Sequence, residues 1–291
     1  MVARKIFSMI KSSNYIDLNE NEKINEYIKG GRIPWSDGYK EYKFKLIKDC
    51  INSRDILESI CNGNLPDAYG IGVDERCVEY PWILSKLSDK KSRLLDAGST
   101  FNFNILVDHE IIKRKELTIY TFYPEAMCFF KNRISYVYGD LREMFFKDDT
   151  FEEIVCQSTI EHIDMDNSIY GYDIGNSVNE KSFEYLKAIH EMLRVLKSGG
   201  KLLMTFPFGK YEYHGFFQQF DKEMYGQLIE LLNQSGISTT TFFKYEKNGW
   251  RSAEISELAD VVSYNPHSGI EKKNNKAAHS RGIACLEFIK K

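Results

Sequence analysis

Apolar positions change their period near residue 90. Before it, Tyr39, Tyr42, Leu46 and Cys50 recur every three to four residues with Lys and Asp between them, which predicts an amphipathic helix. Asn62, Gly63, Asn64 and Pro66 break that stretch. A second helix is predicted over residues 78–87, with Pro81 near its start because proline suits a first turn and not an interior. Two helices have no sheet of their own. Residues 1–90 are therefore expected to pack onto the rest of the chain as a helical extension or lid.

From Arg93 onward, short apolar runs alternate with helical stretches. Strands are predicted at 93–97, 117–122, 134–138, 153–157, 201–206, 239–245 and 282–289. Between the fourth and fifth, Phe183, Leu186, His190, Leu193 and Leu196 mark one face of a helix that should stop at Ser198-Gly199-Gly200. Strands alternating with helices imply right-handed crossovers and a mostly parallel sheet. The expected fold for residues 91–291 is α/β, a doubly wound seven-stranded sheet.

Composition narrows the setting. The chain has 291 residues, a formal net charge of −3 and 43% hydrophobic residues, which excludes global disorder. No apolar run reaches the roughly 18–20 residues of a membrane span, and the apolar pieces of residues 1–11 are too short for a secretory signal. Six cysteines without a CxxC pair read as free thiols of a reducing compartment, so a cytoplasmic location is expected. Near-neutral charge argues against nucleic acid as a bulk partner.

In an open α/β sheet, ligands bind beyond the carboxyl ends of the strands. Four polar clusters fall there: Asp96-Ala97-Gly98-Ser99-Thr100, Gly139-Asp140-Leu141-Arg142, Ser158-Thr159-Ile160-Glu161-His162 and Pro207-Phe208-Gly209. With Thr150-Phe151-Glu152-Glu153-Ile154-Val155 and Arg194-Val195-Leu196-Lys197-Ser198-Gly199-Gly200-Lys201-Leu202, these resemble the class I S-adenosylmethionine-dependent methyltransferases, in particular the type 11 small-molecule group. The likeness covers about residues 93–210. It implies a Rossmann-like methyltransferase fold. Asp74-Glu75-Arg76 and Glu79-Tyr80-Pro81-Trp82 look like a subgroup associated with bacterial surface-glycan pathways, hence polysaccharide biosynthesis.

The resemblance implies S-adenosylmethionine as cofactor, S-adenosylhomocysteine as product, and contacts from Asp96, Gly98, Ser99, Thr121, Asp140, Leu141 and Ser158. Asp96 would hold the amino-acid end, Asp140 and the Leu141 N–H the adenine, and Ser158 would lie beneath the methionine portion. Two departures stand out. Ser99, Thr100, Phe101 and Asn102 replace the usual glycine-rich loop, and Thr121 stands where the family has a ribose-binding acid. Glu125 can take that place if its turn folds back; otherwise it is a solvated loop acid.

Methyl transfer to oxygen also needs a proton acceptor, which suits histidine. His162 is read as that base, or alternatively as a structural histidine bonded to a neighbouring loop. Glu161 is read as an orienting acid, His214 as a second candidate base, and His190 as a packed core residue. Tyr211, Tyr213, Phe216, Phe217 and Phe220, with Gln218, Gln219 and Asp221, suit a sugar or nucleotide acceptor, or else a hydrophobic cap. His162, Asp164, Asp166 and Asn167 are read as solvated loop residues rather than metal ligands, so no metal is expected. The expected partner is a small-molecule acceptor, glycan or nucleotide-linked and methylated on oxygen. An amine acceptor and a non-catalytic methyltransferase-like module are the rivals.

Overall fold

The computed structural model of the chain describes residues 19–170 and 180–291. The apolar pieces of residues 1–11 lie outside them. Four helices come first: α1 (Glu20–Lys29), α2 (Tyr39–Ile51), α3 (Arg54–Cys61) and α4 (Arg76–Lys86). Strand β1 (Arg93–Ala97) is followed by two single turns, α5 (Asn104–Val107) and α6 (Glu110–Lys113), then by β2 (Glu116–Thr121), β3 (Ser135–Tyr138) and β4 (Phe151–Gln157). Helix α7 (Tyr185–Val195) leads into β5 (Leu196–Pro207), and β6 (Glu212–Tyr213) pairs with β7 (Gln218–Gln219) as a small ribbon. Helix α8 (Lys222–Asn233) and strands β8 (Gly236–Glu246), β9 (Gly249–Ala253) and β10 (Gly282–Lys290) complete the chain.

The main sheet runs β3-β2-β1-β4-β5-β10-β8-β9. The first five strands are parallel; β10 is antiparallel to β5 and β8, and β9 is antiparallel to β8. The winding reverses between β1 and β4, which is where such a sheet opens a ligand crevice. Side chains alternate between two cores. Leu94, Val155, Leu203 and Cys285 pack with Ile47 and Cys50 of α2 and Val78, Trp82 and Ile83 of α4. Leu95, Ile154, Leu202 and Met204 pack with Ile189 and Met192 of α7 and Leu228 and Leu232 of α8. The crossover from β1 to β2 holds only two four-residue helices, so α2–α4 share one core with the sheet on that side.

Four expectations need correction. The sheet has eight strands, because Gly249–Ala253 returns along β8 through the two-residue loop Lys247-Asn248. That short strand is held by Trp250, whose backbone N–H donates to the Tyr69 carbonyl and whose Nε1 donates to Val73 O at 3.1 Å. Pro81 sits inside α4, because the helix begins at Arg76. The carbonyl that a residue 81 N–H would satisfy, that of Cys77, instead accepts from the Tyr69 hydroxyl at 2.6 Å. Helix α7 ends at Val195, since Leu196 is already extended (φ −79°, ψ 132°). Its buried residues are Tyr185, Ala188, Ile189, Met192, Leu193 and Val195; of the predicted stripe, Leu193 and Leu196 are buried in that core and Phe183 and Leu186 pack partly buried against it, but His190 is exposed.

Candidate active site

A cleft of about 570 Å³ opens at the carboxyl ends of β1, β2, β3 and β4. Five of the seven expected cofactor residues line it: Gly98, Thr121, Asp140, Leu141 and Ser158. Asp96 and Ser99 do not. The Asp96 carboxylate faces the loop after β1, accepting from Phe101 N at 2.8 Å, Thr100 N at 3.2 Å and Thr100 Oγ1 at 3.0 Å. Burial pushes its pKa up to about 6, against the pull of those bonds from Phe101 and Thr100. The acid thus holds the turn that a glycine-rich sequence would reach by backbone freedom. Gly98 (φ 127°) still suits its place best, because a Cβ there would collide with the Thr159 side chain.

On the β2 and β3 side, the turn after Thr121 folds back. Glu125 lines the cleft and accepts a hydrogen bond from the Ser99 hydroxyl, so it is not a solvated loop acid. Asp140 lines the cleft with its carboxylate held by Arg142, through Nε at 3.0 and 3.1 Å and Nη2 at 2.7 Å. Its lone pairs are thereby shared between Arg142 and any ligand. Tyr120 closes the back of this corner, donating to the Asp140 carbonyl at 3.1 Å.

The β4 end brings Ser158, Thr159 and His162 to the cleft. Ser158 has φ 41°, a strained value for a side-chain-bearing residue and one concentrated at functional sites. Its hydroxyl donates to Glu79 Oε1 at 2.6 Å. Glu79 reaches up from α4, fully buried, and also accepts from Thr205 Oγ1 at 2.6 Å, Gln157 Nε2 at 3.2 Å and Arg76 Nη1 at 2.6 Å. Arg76 lines the cleft. Sequence reasoning gave Arg76 and Glu79 no role in the site, and their motif spacing carries no sign of it.

His162 lines the cleft beside Ser158 and Thr159. Its Nδ1 lies 2.7 Å from the Phe216 carbonyl, and an acceptor there requires the proton on Nδ1, leaving Nε2 as the basic nitrogen. The bond that a structural histidine would make is thus the bond that sets its tautomer. Burial lowers its pKa to about 4; the Phe216 carbonyl opposes this and Arg76 and His279 add to it. Glu161 is buried with Oε1 4.0 Å from His162 Nε2, and Oε2 has no hydrogen-bond partner among the described residues. Burial pushes that carboxyl well above its usual range, with nearby Glu79 and Glu75 contributing.

His214 does not line the cleft. It is buried and stacked on Phe217 (4.4 Å between centroids), with Glu212 Oε2 3.4 Å from Nε2 and no hydrogen bond to either ring nitrogen among the described residues. Nor do the aromatic and amide residues after β5 line it. Gln218 bonds both ways with the Ser182 backbone, Gln219 donates to Lys210 O and Val261 O, and Asp221 caps α8. The histidine overlooked in the sequence is His279, whose Nδ1 is 3.0 Å from Glu75 Oε1. Burial alone would raise Glu75, but His279 and Arg76 outweigh it and hold the carboxyl near 2. Among the described residues no three His, Cys, Asp or Glu converge as a metal site; Asp164 accepts from Ser182 Oγ and Asp166 from Ser168 N.

A family model described as a methyltransferase domain matches residues 122–204, a stretch that includes Asp140, Leu141, Ser158 and His162 and begins just after β2. No curated protein matches the chain. Among solved structures, it is similar to the YcgJ protein from Bacillus subtilis, at 11% identity and TM-score 0.42 over 71% of this chain and 94% of that one. It is also similar to the 1,6-didemethyltoxoflavin-N1-methyltransferase of Burkholderia thailandensis, solved with its substrate and S-adenosylhomocysteine (12%, TM-score 0.38, 69% and 72%). A third is the PH0226 protein from Pyrococcus horikoshii OT3 (14%, TM-score 0.40, 83% and 93%).

Proposed function

We propose that this S-adenosylmethionine-dependent methyltransferase acts on an oxygen of a small molecule, with His162 as the proton acceptor. The residues present fit the cofactor. The cleft has the size of a small-molecule site, with Glu125 and Asp140 as acceptors for ribose and adenine donors, Thr121 and Leu141 between them, and a cation at the β4 end. Bound there, S-adenosylmethionine supplies an electrophilic methyl group on sulfur. Everything else falls to the chain. Gly98 and Ser158 shape the floor, and the Asp96-held turn keeps the loop in one position. Positioning of acceptor against methyl donor supplies much of the acceleration in a displacement of this kind.

The observation that carries the oxygen reading is the Nδ1 bond of His162 to the Phe216 carbonyl. It presents a neutral imidazole, with Nε2 basic, on the wall of the cleft. Glu161, buried 4.0 Å from Nε2 with its pKa raised by burial, is read as the acid that orients that ring. A second reading rests on the same residue: a histidine held near 4 is a weak base, which suits an amine acceptor that loses its proton to water. For the acceptor we favour a glycan or nucleotide-linked precursor in the cytoplasm, on the resemblance of the Asp74-Glu75-Arg76 and Glu79-Tyr80-Pro81-Trp82 segments alone.

Titration calorimetry with S-adenosylhomocysteine tests the cofactor and the site together. Micromolar binding that weakens when Thr121 and Glu125 are replaced by Ala is the expected result. Absence of binding to the intact chain would reduce the protein to a methyltransferase-like module without catalysis.

A further inference from the structure

The cleft has a pronounced charge order. Glu125, Asp140 and Asp164 line it together with two cations, Arg76 and Arg142. Arg142 has its fork on Asp140, with Glu184 3.4 Å away. Arg76 is different. Its hydrogen bond to Glu79 is the only side-chain bond it makes among the described residues, so most of its five donors remain for the cleft.

Glu79 makes that cation rigid. A buried carboxylate is costly unless every lone pair is used, and here four donors use them: Arg76, Gln157, Ser158 and Thr205. One carboxylate therefore ties Arg76 to Ser158 and to the carboxyl ends of β4 and β5. Through Glu79 the guanidinium is tied to Ser158 at the β4 end, whereas Glu125 and Asp140 follow β2 and β3, across β1 in the strand order. Asp96, expected at the amino-acid end of the ligand, faces the loop instead. A zwitterionic amino-acid group entering here meets a cation.

We infer that Arg76 binds the carboxylate of the cofactor's methionine portion, so that α4, outside the stretch of family likeness, completes the cofactor site. This rests on the methyl-donor reading above and adds a residue to it. It also makes the first helical layer part of the binding machinery.

The test compares two ligands that differ only at that end. S-adenosylhomocysteine carries the amino-acid group, whereas 5′-methylthioadenosine keeps the nucleoside thioether and lacks it. Calorimetry on the full chain should show Arg76→Gln weakening S-adenosylhomocysteine by about 10- to 150-fold, the range for a hydrogen bond to a charged group. Its affinity for 5′-methylthioadenosine should stay within about twofold of the parent. Arg76→Lys should recover part of the loss as a point charge without the fork. Glu79→Gln, which loosens the clamp, should fall between, again for S-adenosylhomocysteine alone. If Arg76→Gln melts early, the Arg76→Lys and parent pair carries the same comparison. Equal S-adenosylhomocysteine affinity in parent and Arg76→Gln overturns the inference and leaves the methyl-donor reading intact. Parallel loss of both ligands also overturns it, by making Arg76 a support of the cleft wall. A parent chain that binds neither ligand removes the donor reading and the inference with it.

Discussion

The two ends of the sheet bury charge in opposite styles. At the amino end, the Lys115 ammonium is enclosed by five acceptors: the Ser88 and Lys90 carbonyls, the Ser88 and Ser92 hydroxyls, and the Glu153 carboxylate. At the carboxyl end, Gly98, Ser99, Ser158 and Asp164 all have positive φ, and Gln157 Oε1 and Glu161 Oε2 are buried without hydrogen-bond partners among the described residues. The Lys115 cluster is saturated; the carboxyl end adds unfilled bonding capacity to its left-handed turns. Both share one sheet and one pair of cores, so the contrast reflects what each end must do. The saturated Lys115 cluster lies away from the cleft and holds the fold, whereas at the carboxyl end the saturated Glu79 and the unfilled polar groups lie beside a cleft that can take a ligand.

The largest effect that sharpens this contrast lies at the carboxyl end. His162→Gln keeps a hydrogen-bonding side chain but loses the proton acceptor. Turnover should fall by about 10²–10⁴-fold while S-adenosylhomocysteine affinity hardly moves. Near-normal turnover would favour the amine reading. The parent pH profile adds a check. The base works when unprotonated and its pKa is lowered to about 4, so turnover should hold through pH 6 and fall only as pH drops through about 4. Stability follows the same sign: the unfolded chain binds the proton below about 6.5 and the native His162 does not until about 4, so this residue's share is lost across that window as pH falls. A turnover limb near 6.5 would assign the proton to another group.

Next in size is Lys115→Met at the opposite end. It leaves Glu153 buried without its cation and should cost about 3–5 kcal/mol in urea unfolding, with cofactor affinity unchanged. A loss of affinity to match would break the division between the two ends. A pair of glycines gives the finer comparison. Gly98→Ala should cost about 1–3 kcal/mol and weaken S-adenosylhomocysteine, because the methyl group meets Thr159 as well as an unfavourable φ. Gly199→Ala, at φ 73° with open space around it, should cost only about 1 kcal/mol, read as a small shift in Tm without change in affinity.

The parallel strands were legible because each is a short run of branched and aromatic residues bounded by turn signals. Strand β9 was not: Gly-Trp-Arg-Ser-Ala alternates poorly, and its place depends on Trp250 reaching the backbone of Tyr69 and Val73. In α7 the apolar face was legible through Phe183, Leu186, Leu193 and Leu196, and His190, a polar residue at the same spacing, was not part of it. The cleft residues Gly98, Thr121, Asp140, Leu141 and Ser158 were legible from strand ends and motif. Arg76 and Glu79 were not, because their partners lie up to 126 residues along the chain. The downward shift of His162 comes from burial, a tertiary property that no local spacing encodes.

The Trp250 bonds to the Tyr69–Val73 segment also bear on how the protein is made. They span up to 177 residues, and the Tyr69 hydroxyl in turn completes α4 at Cys77. Long-range closures of this kind slow folding, because chain entropy is lost before the contact repays it. During synthesis the Tyr69–Val73 segment that leads into α4 emerges well before Trp250, its brace. The cleft therefore matures late, and a ribosome-bound chain stopped before residue 250 should display a protease-sensitive α4 beside an already protected β1–β5 sheet.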